Sequence, residues 1–239
     1  MTSQDVVLDV GCGDGYFTGL LGERGGNIIG LDNSHAYLAA ARAAIAVSNV
    51  EFRKGDARRL PFDEHSVDVV WSAHSMQSYP DIPRCLREFH RVLKPGGTLA
   101  VLETDNVHSV MLSWPPDLEL AVRQAEHSEI GDEDSYIGTY FPRFAQRLLD
   151  EGGFDDFDPH YFFIHRIGPA GEALEEFVRL YLDNLLEKTR EHLSDRMKAR
   201  LVLLCDPASE KYLPRQKAFF FGSLQVLMLA KSPLRHAVG

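Results

Sequence analysis

The chain's clearest chemistry is concentrated near its start, in Val7-Leu8-Asp9-Val10-Gly11-Cys12-Gly13-Asp14-Gly15. An apolar run enters a turn with glycines at alternate positions, directly before a helical pattern. Glycine lets the backbone approach a ligand closely and take positive φ without steric cost. The dinucleotide fingerprint is GxGxxG, whose third glycine packs helix on strand. Here the spacing is GxGxG and Tyr16 follows, so bulk stands where that fingerprint admits none. Cys12 lies inside the turn, yet no histidine is tied to it by a local motif, which favours packing over a nucleophile. Asp32 ends a second apolar run about 20 residues beyond the turn, the spacing of an acid that meets ribose hydroxyls. Asp56, in Gly55-Asp56-Ala57, is a further acid after a third run, although Gly-Asp is also a common turn pair. His74, in Ser72-Ala73-His74-Ser75-Met76-Gln77-Ser78-Tyr79, stands beyond a fourth run, as a proton acceptor or as an ordinary loop residue.

Two other groupings carry less. His160 and His165, with Asp158, invite a metal reading, but positions five apart on a strand point to opposite faces. No metal is expected. Arg53-Lys54 and Arg58-Arg59 bracket Gly55-Asp56, and in an acidic chain they read as a solvated rim rather than a nucleic-acid surface.

These residues need a scaffold, and the first half of the chain alternates strand-length apolar runs with helical patterns. That rhythm gives a parallel sheet with helices on both faces. Strands are expected at Val6–Val10, Asn27–Leu31, Val50–Lys54, Val67–Ser72 and Thr98–Glu103. Helices are marked by Phe17, Leu20 and Leu21; by Leu38, Ala41 and Ile45 behind a Ser34 cap; and by Leu86, Phe89 and Leu93 before Pro95-Gly96-Gly97. The second half departs from this. A helix near Leu118–Ala125 precedes an acidic, glycine-containing loop from Ser128 to Ser135, then a helix around Leu148 and Leu149 ends at Gly152-Gly153. An extended run follows from Phe157 to His165, and Phe219–Ala230 closes the chain as a strand. Between them, Leu174, Phe177, Val178, Tyr181, Leu182 and Leu185, then Met197, Leu201 and Leu204 after Ser194-Asp195, read as two inserted helices. The organisation predicted is one domain over 1–239, with 106–142 and 171–204 as substrate-cap segments. His108, Tyr136 and Tyr140 fall in or beside the first of them.

Composition sets the remaining bounds. At 239 residues, 44% hydrophobic and 25% charged, the chain reads as globular. No apolar run reaches the roughly 18–20 residues that cross a bilayer, and the first residues lack a secretion signal's basic and apolar regions. Cys12, Cys85 and Cys205 are odd in number and widely spaced, which suits a reducing, cytoplasmic setting. A net charge of -10 disfavours generic binding to nucleic acid or to anionic membrane.

The ordered motifs resemble the class I S-adenosylmethionine-dependent methyltransferases, in particular the ubiquinone/menaquinone-biosynthesis-like branch. The resemblance rests on Val7–Thr18; Gly30-Leu31-Asp32-Asn33-Ser34; Gly55-Asp56-Ala57; Phe62 with Val67–Ser72; and Leu93-Lys94-Pro95-Gly96-Gly97-Thr98-Leu99. It covers roughly residues 5–105. It implies an α/β, Rossmann-like, seven-stranded, mostly parallel sheet, with the last strand antiparallel and a helical insertion between the last two strands. It also implies S-adenosylmethionine as cofactor, met by Asp9, Gly11, Cys12, Gly13, Gly15, Asp32, Asn33, Asp56, Ala57, Ser72 and Gln77. In the family the glycine turn faces the amino-acid portion, the Asp32 position accepts from both ribose hydroxyls, and the Asp56 position meets the adenine amino group. The family often carries histidine at the position of Ser78, so the catalytic residue is left unassigned. The acceptor implied is a small molecule, and the aromatic content of the cap segments favours an apolar or aromatic one. The first strand starts about five residues from Met1, where the family usually has covering helices. An open pocket, closure by the inserted helices, or completion by a second copy in a homodimer would follow. The alternative function is a non-catalytic S-adenosylmethionine-binding module.

Overall fold

The computed structural model describes residues 2–105, 108–130 and 133–234. The chain divides into two compact units, one of residues 1–105, 137–162 and 225–239, the other of residues 106–136 and 163–224.

The first unit holds the parallel sheet. Its strands are β1 (Val6–Val10), β2 (Asn27–Asp32), β3 (Val50–Lys54), β4 (Val67–Ala73) and β5 (Leu93–Thr104), in spatial order β3-β2-β1-β4-β5. Each neighbouring pair among these five is parallel. The order reverses between β1 and β4. That switch point opens a crevice at the carboxyl ends of the strands, where open α/β sheets bind ligands. Beyond β5 runs β8 (Phe220–Lys231), antiparallel to it from Thr98↔Lys231 to Thr104↔Gln225. β7 (Asp155–Ile167) pairs with β8.

Alternation along β1 sorts the two faces. Leu8 and Val10 join a core with Leu86, Phe89 and Val92 of α3 (Ile82–Val92) and Phe141, Ala145, Leu148 and Leu149 of α6 (Phe141–Glu151). Asp9 points the other way, to Thr18 of α1 (Tyr16–Glu23), the side on which Leu38 and Ala41 of α2 (His35–Ala44) pack on Phe52 and Cys12. Caps set the helix starts: Ser34 Oγ accepts from Tyr37 N at 3.3 Å, and Asp81 Oδ1 from Arg84 N at 2.9 Å. At the amino edge, the Asp68 carboxylate accepts from Val6 N at 2.9 Å and from Lys94 Nζ at 2.8 Å, joining β1, β4 and β5.

The second unit contains β6 (Met111–Leu112), α4 (Pro116–Ser128), α7 (Glu172–Thr189) and α8 (Asp195–Cys205). Its own core gathers Leu118 and Val122, Val178, Leu182 and Leu185, and Leu201 with Phe219. Met111 and Leu112 of β6 pair antiparallel with Gly222 and Phe221 of β8. Ser194 Oγ caps α8 by accepting from Met197 N at 3.4 Å.

Three expectations need correction. The strands number eight among the described residues, not seven, because the two-residue β6 is too short to leave a pattern in sequence. β5 begins at Leu93 rather than Thr98, running through Pro95-Gly96-Gly97. Gly96 N donates to Ser232 O at 2.8 Å and Ser232 N to Gly97 O at 2.9 Å, so the end of β8 supplies the partners that make a turn sequence extended. In the segment read as an acidic loop, α5 (Glu133–Thr139) is helical, while residues 131–132 lie outside the described ones. The antiparallel last strand and the two helices between β7 and β8 match the expectation.

Phe89 is fully buried at the centre of the first core. Phe89→Ala should therefore lower stability by about 3–5 kcal/mol. Urea unfolding should show this as a lower midpoint with an unchanged m value; an unchanged midpoint would contradict the packing described.

Candidate active site

At the carboxyl ends of β1, β2 and β4 lies a cavity of about 470 Å³, all of it within the first unit. That volume falls in the range of small-molecule pockets, about 300–1,000 Å³.

Its floor is the glycine turn. Gly11 N and Cys12 N both donate to Leu31 O, at 2.8 and 3.1 Å, fixing the turn on the end of β2. Gly11 has φ 73°, and a side chain there would meet Ser75 Oγ at 2.5 Å, so the turn after β1 closes directly on the turn after β4. Gly13, at φ 53°, has open space where a side chain would point, so its backbone faces the cavity bare. Gly15 is buried, and a side chain on it would strike the Phe52 ring at 2.8 Å; its task is packing α1 against β3. Cys12 is buried too, and burial, then Asp9 and Asp32, push its thiol pKa up, so it stays protonated and inert.

Asp32 is the best-placed acid. Oδ2 accepts from Gly13 N at 3.0 Å and Oδ1 from Ser34 N at 2.8 Å, which fixes the carboxylate between the glycine turn and the start of α2. A carboxylate offers about four acceptor sites, so lone pairs remain for a ligand's hydroxyls. Asn33 and Ala57 also line the cavity. Asp56 lines it as well, but Arg58 grips its carboxylate with Nη2 at 2.7 Å and Nε at 3.1 and 3.2 Å, while Arg58 N donates to Oδ1 at 2.9 Å. The Arg58 guanidinium holds the Asp56 pKa below its ordinary value. Sequence reasoning treated Arg58 as rim; the structure brings it into the cavity wall.

Asp9 sits beneath the turn, 1% exposed, accepting from Thr18 Oγ1 at 2.6 Å. Burial raises its pKa to about 7 against the Thr18 bond that lowers it, with the Asp32 charge adding to the rise. Ser72 is fully buried, bonded to the Tyr79 hydroxyl at 2.9 Å, and is not among the residues lining the cavity. Gln77 is exposed and also stands outside the lining.

The wall above β4 is where sequence reasoning saw least. Glu103, on β5, is 4% exposed and its Oε1 accepts from Ser75 N at 2.8 Å and Met76 N at 2.9 Å. His74 N donates to Leu102 O at 2.9 Å. Thus β5 holds three successive N–H groups of the turn after β4, and His74 within it has φ 52°. Such a conformation in a non-glycine residue costs on the order of 1–3 kcal/mol and persists only where surroundings over-determine it. Tyr79 donates to Val10 O at 2.9 Å and completes the brace to β1. Tyr16, Phe17 and Tyr37 give the cavity aromatic walls that the motif search did not single out. The signal available for Glu103 was a charged residue inside the apolar fifth strand. His108, Tyr136 and Tyr140 do not line this cavity.

Electrostatically the cavity is acidic. Three carboxylates, Asp14, Asp32 and Asp56, line it against one guanidinium, Arg58, while the buried Asp9 beneath adds only a partial charge because its pKa is raised to about 7. That balance disfavours pyrophosphate and suits a ligand carrying positive charge.

A doubly wound sheet with a bare glycine turn and an acid at its switch point is a Rossmann-like arrangement, whose crevice at this edge is where such sheets take nucleoside-bearing ligands. Residues 8–101 match the family described as a methyltransferase domain. A demethylmenaquinone methyltransferase of Lactococcus lactis is 41% identical over 106 residues, 42% of this chain and 42% of that protein. A 2-phytyl-1,4-naphtoquinone methyltransferase of Synechococcus elongatus is 36% identical over 115 residues, 45% of this chain and 49% of that one. The chain thus spans about half, or less, of the length of these curated relatives. The YcgJ protein of Bacillus subtilis shares the fold over 97% of this chain and 93% of its own, at TM-score 0.61 and 16% identity. The family match falls within the parallel half of the chain, and the chain is similar there to S-adenosylmethionine-dependent methyltransferases of the ubiquinone/menaquinone type. Among the described residues, no helix is long and apolar enough to cross a membrane.

Two outcomes follow for the site. Gly11→Ala forces the turns after β1 and β4 apart. It should weaken binding of S-adenosylhomocysteine at least tenfold in calorimetric titration, and unchanged affinity would contradict the close approach. Asp9 binds its proton more tightly folded than unfolded, so from about pH 4 to about pH 7 its ionisation erodes stability as pH rises. Asp9→Asn removes that loss. Relative to the parent chain it should gain stability with rising pH across this window, by up to ~1.4 kcal/mol per pH unit. Urea midpoints from pH 4 to 8 would show the gain, and a flat difference would contradict it.

Proposed function

We propose that this chain binds S-adenosylmethionine in the carboxyl-edge cavity and transfers its methyl group to a small, apolar or aromatic, quinone-like acceptor. The observation that carries the reading is the lining itself: the carboxylates Asp14, Asp32 and Asp56 against one guanidinium, around a bare Gly13 and an Asp32 fixed by two backbone N–H groups. A sulfonium is a cation, and this surface attracts it where it would repel phosphates.

Under this reading Asp32 accepts from the ribose hydroxyls through the lone pairs left over from Gly13 and Ser34. Gly11 and Gly13 admit the amino-acid portion, and Asn33 and Ala57 line the nucleoside side. Asp56 serves the adenine edge only while sharing its carboxylate with Arg58. Asp9, Cys12 and Gly15 act one layer beneath, by holding the turn on α1 and β3. Ser72 acts through Tyr79, and Gln77 through the turn that carries it. When bound, the sulfonium supplies an already activated methyl group, so the chain's task is alignment and exclusion of water.

The acceptor assignment draws on the quinone-type substrates in the names of the Lactococcus and Synechococcus relatives. Segments 106–142 and 171–204 are proposed as the acceptor cap. We also place the chain in the cytoplasm, in keeping with three free, buried cysteines.

Calorimetric titration tests the binding. S-adenosylmethionine and S-adenosylhomocysteine should bind at micromolar Kd, and NAD should not bind. Asp32→Ala should weaken both by about 10- to 100-fold, the loss of charge-assisted hydrogen bonds at roughly 1.5–3 kcal/mol. Equal affinity in the variant, or preference for NAD, would overturn the reading.

A further inference from the structure

The residue that this reading leaves unused is His74. Its backbone is held at φ 52°, with N–H bonded to Leu102 O at 2.9 Å and the next two N–H groups on the Glu103 carboxylate. The following Ser75 is locked in turn: its Oγ donates toward Gly11 O at 3.1 Å and Ala73 O at 2.9 Å. All of this fixes the direction of one side chain. The imidazole lines the cavity, with the Phe17 ring beside it at 6.1 Å, and among the described residues neither ring nitrogen makes a hydrogen bond.

The contrast with His65 is informative. It too has a positive φ, 56°, but its Nδ1 is engaged with Leu93 O at 2.9 Å, which gives that ring a structural task. His74 has no such task. The titratable side chains that share the cavity lining with it are Asp9, Cys12, Asp14, Tyr16, Asp32, Tyr37, Asp56, Arg58 and Tyr79, and Glu103 on β5 holds the turn that carries it. Asp9, Asp32, Tyr79 and Glu103 are each bonded to other partners. His74 is exposed on its cavity side, and its partial desolvation lowers the imidazole pKa, which favours the neutral ring that can accept a proton.

We propose that His74 is a catalytic proton acceptor, and that the acceptor class is therefore a hydroxyaromatic compound whose O–H must be broken as the methyl group arrives. The inference rests on the function proposed above. The acceptor's O–H bond breaks and its proton passes to a ring nitrogen of His74. The freed electron pair, on the oxygen or delivered through the conjugated ring to a carbon, forms the bond to the methyl carbon. The carbon–sulfur bond breaks as that bond forms, and its pair stays on sulfur, leaving a neutral thioether. If a ring carbon is methylated, its hydrogen leaves as a proton to water to restore aromaticity, and the oxygen takes its own proton back from His74; if oxygen is methylated, His74 releases its proton to water. The aromatic walls at Tyr16 and Phe17 suit a flat ring set against this histidine.

The test uses the full chain with S-adenosylhomocysteine and 4-nitrophenol, whose ionised form has its own visible absorbance. His74→Gln keeps a polar side chain but removes the base. S-adenosylhomocysteine should bind both chains within about twofold by calorimetry. In the ternary complex the bound nitrophenol should titrate at least one pH unit lower in the parent chain than in His74→Gln. With a hydroxyaromatic substrate, His74→Gln should lower kcat by about 100-fold or more and abolish the acidic limb of its pH profile. Imidazole should restore part of the rate to His74→Ala. The same nitrophenol titration in both chains, or no nitrophenol binding to the parent complex, would overturn the assignment of His74 while leaving the cofactor reading intact. Failure of S-adenosylhomocysteine to bind the parent chain would overturn both.

Discussion

Everything at this site depends on how closely two turns approach at the carboxyl edge of the sheet. The turn after β1 and the turn after β4 meet where Ser75 Oγ stands 2.5 Å from the place a Gly11 side chain would occupy. Only a residue without Cβ at Gly11 lets the second turn sit there, and its bonds to Glu103 and Leu102 on β5 and to Val10 and Gly11 at the end of β1 keep it there. The cavity walls follow from that closure. Gly13 faces open space because Gly11 and Gly15, on either side, are fixed against protein. Asp32 reaches Gly13 N because Leu31 O, one residue earlier, has already captured Gly11 N and Cys12 N.

The parallel half of the fold was legible because each element there is locally consistent. Buried strands read as apolar runs, the Ser34 cap is visible as a residue type, and the amphipathic stripe of α3 marks its own inner face. What escaped was decided by partners distant in sequence. Leu93–Gly97 is extended because Ser232 at the far end of the chain pairs with it, against the turn propensity of Pro-Gly-Gly. Met111–Leu112 is too brief to show a period, and Glu133–Thr139 is helical within a stretch whose composition resembles a loop.

The candidate site divides in the same way. The glycine turn and Asp32 were visible from spacing, since the backbone turn and its hydrogen bonds are local, and the family resemblance added the other acids. Ser72 was singled out with them, but β-strand alternation turns it into the protein toward Tyr79 rather than into the cavity. Asp56 was visible, but its capture by Arg58 two residues on was not, because a run of charges reads as solvated rim. Glu103 and the aromatic walls were hidden altogether. A single acid in a long apolar strand gives no sign that it binds two N–H groups of another loop. The second unit has its own core, which includes Val110 and Phe221.

The central claim is that this edge binds a nucleoside sulfonium through Asp32, with the reacting end toward the turn after β4. A crystal structure of the full chain with S-adenosylhomocysteine tests it most directly. The account predicts both ribose hydroxyls within hydrogen-bond reach of the Asp32 carboxylate, the amino-acid portion over Gly11 and Gly13, and the sulfur on the side of the cavity that His74 lines. A ligand bound elsewhere, or bound here with its ribose turned away from Asp32, would contradict it.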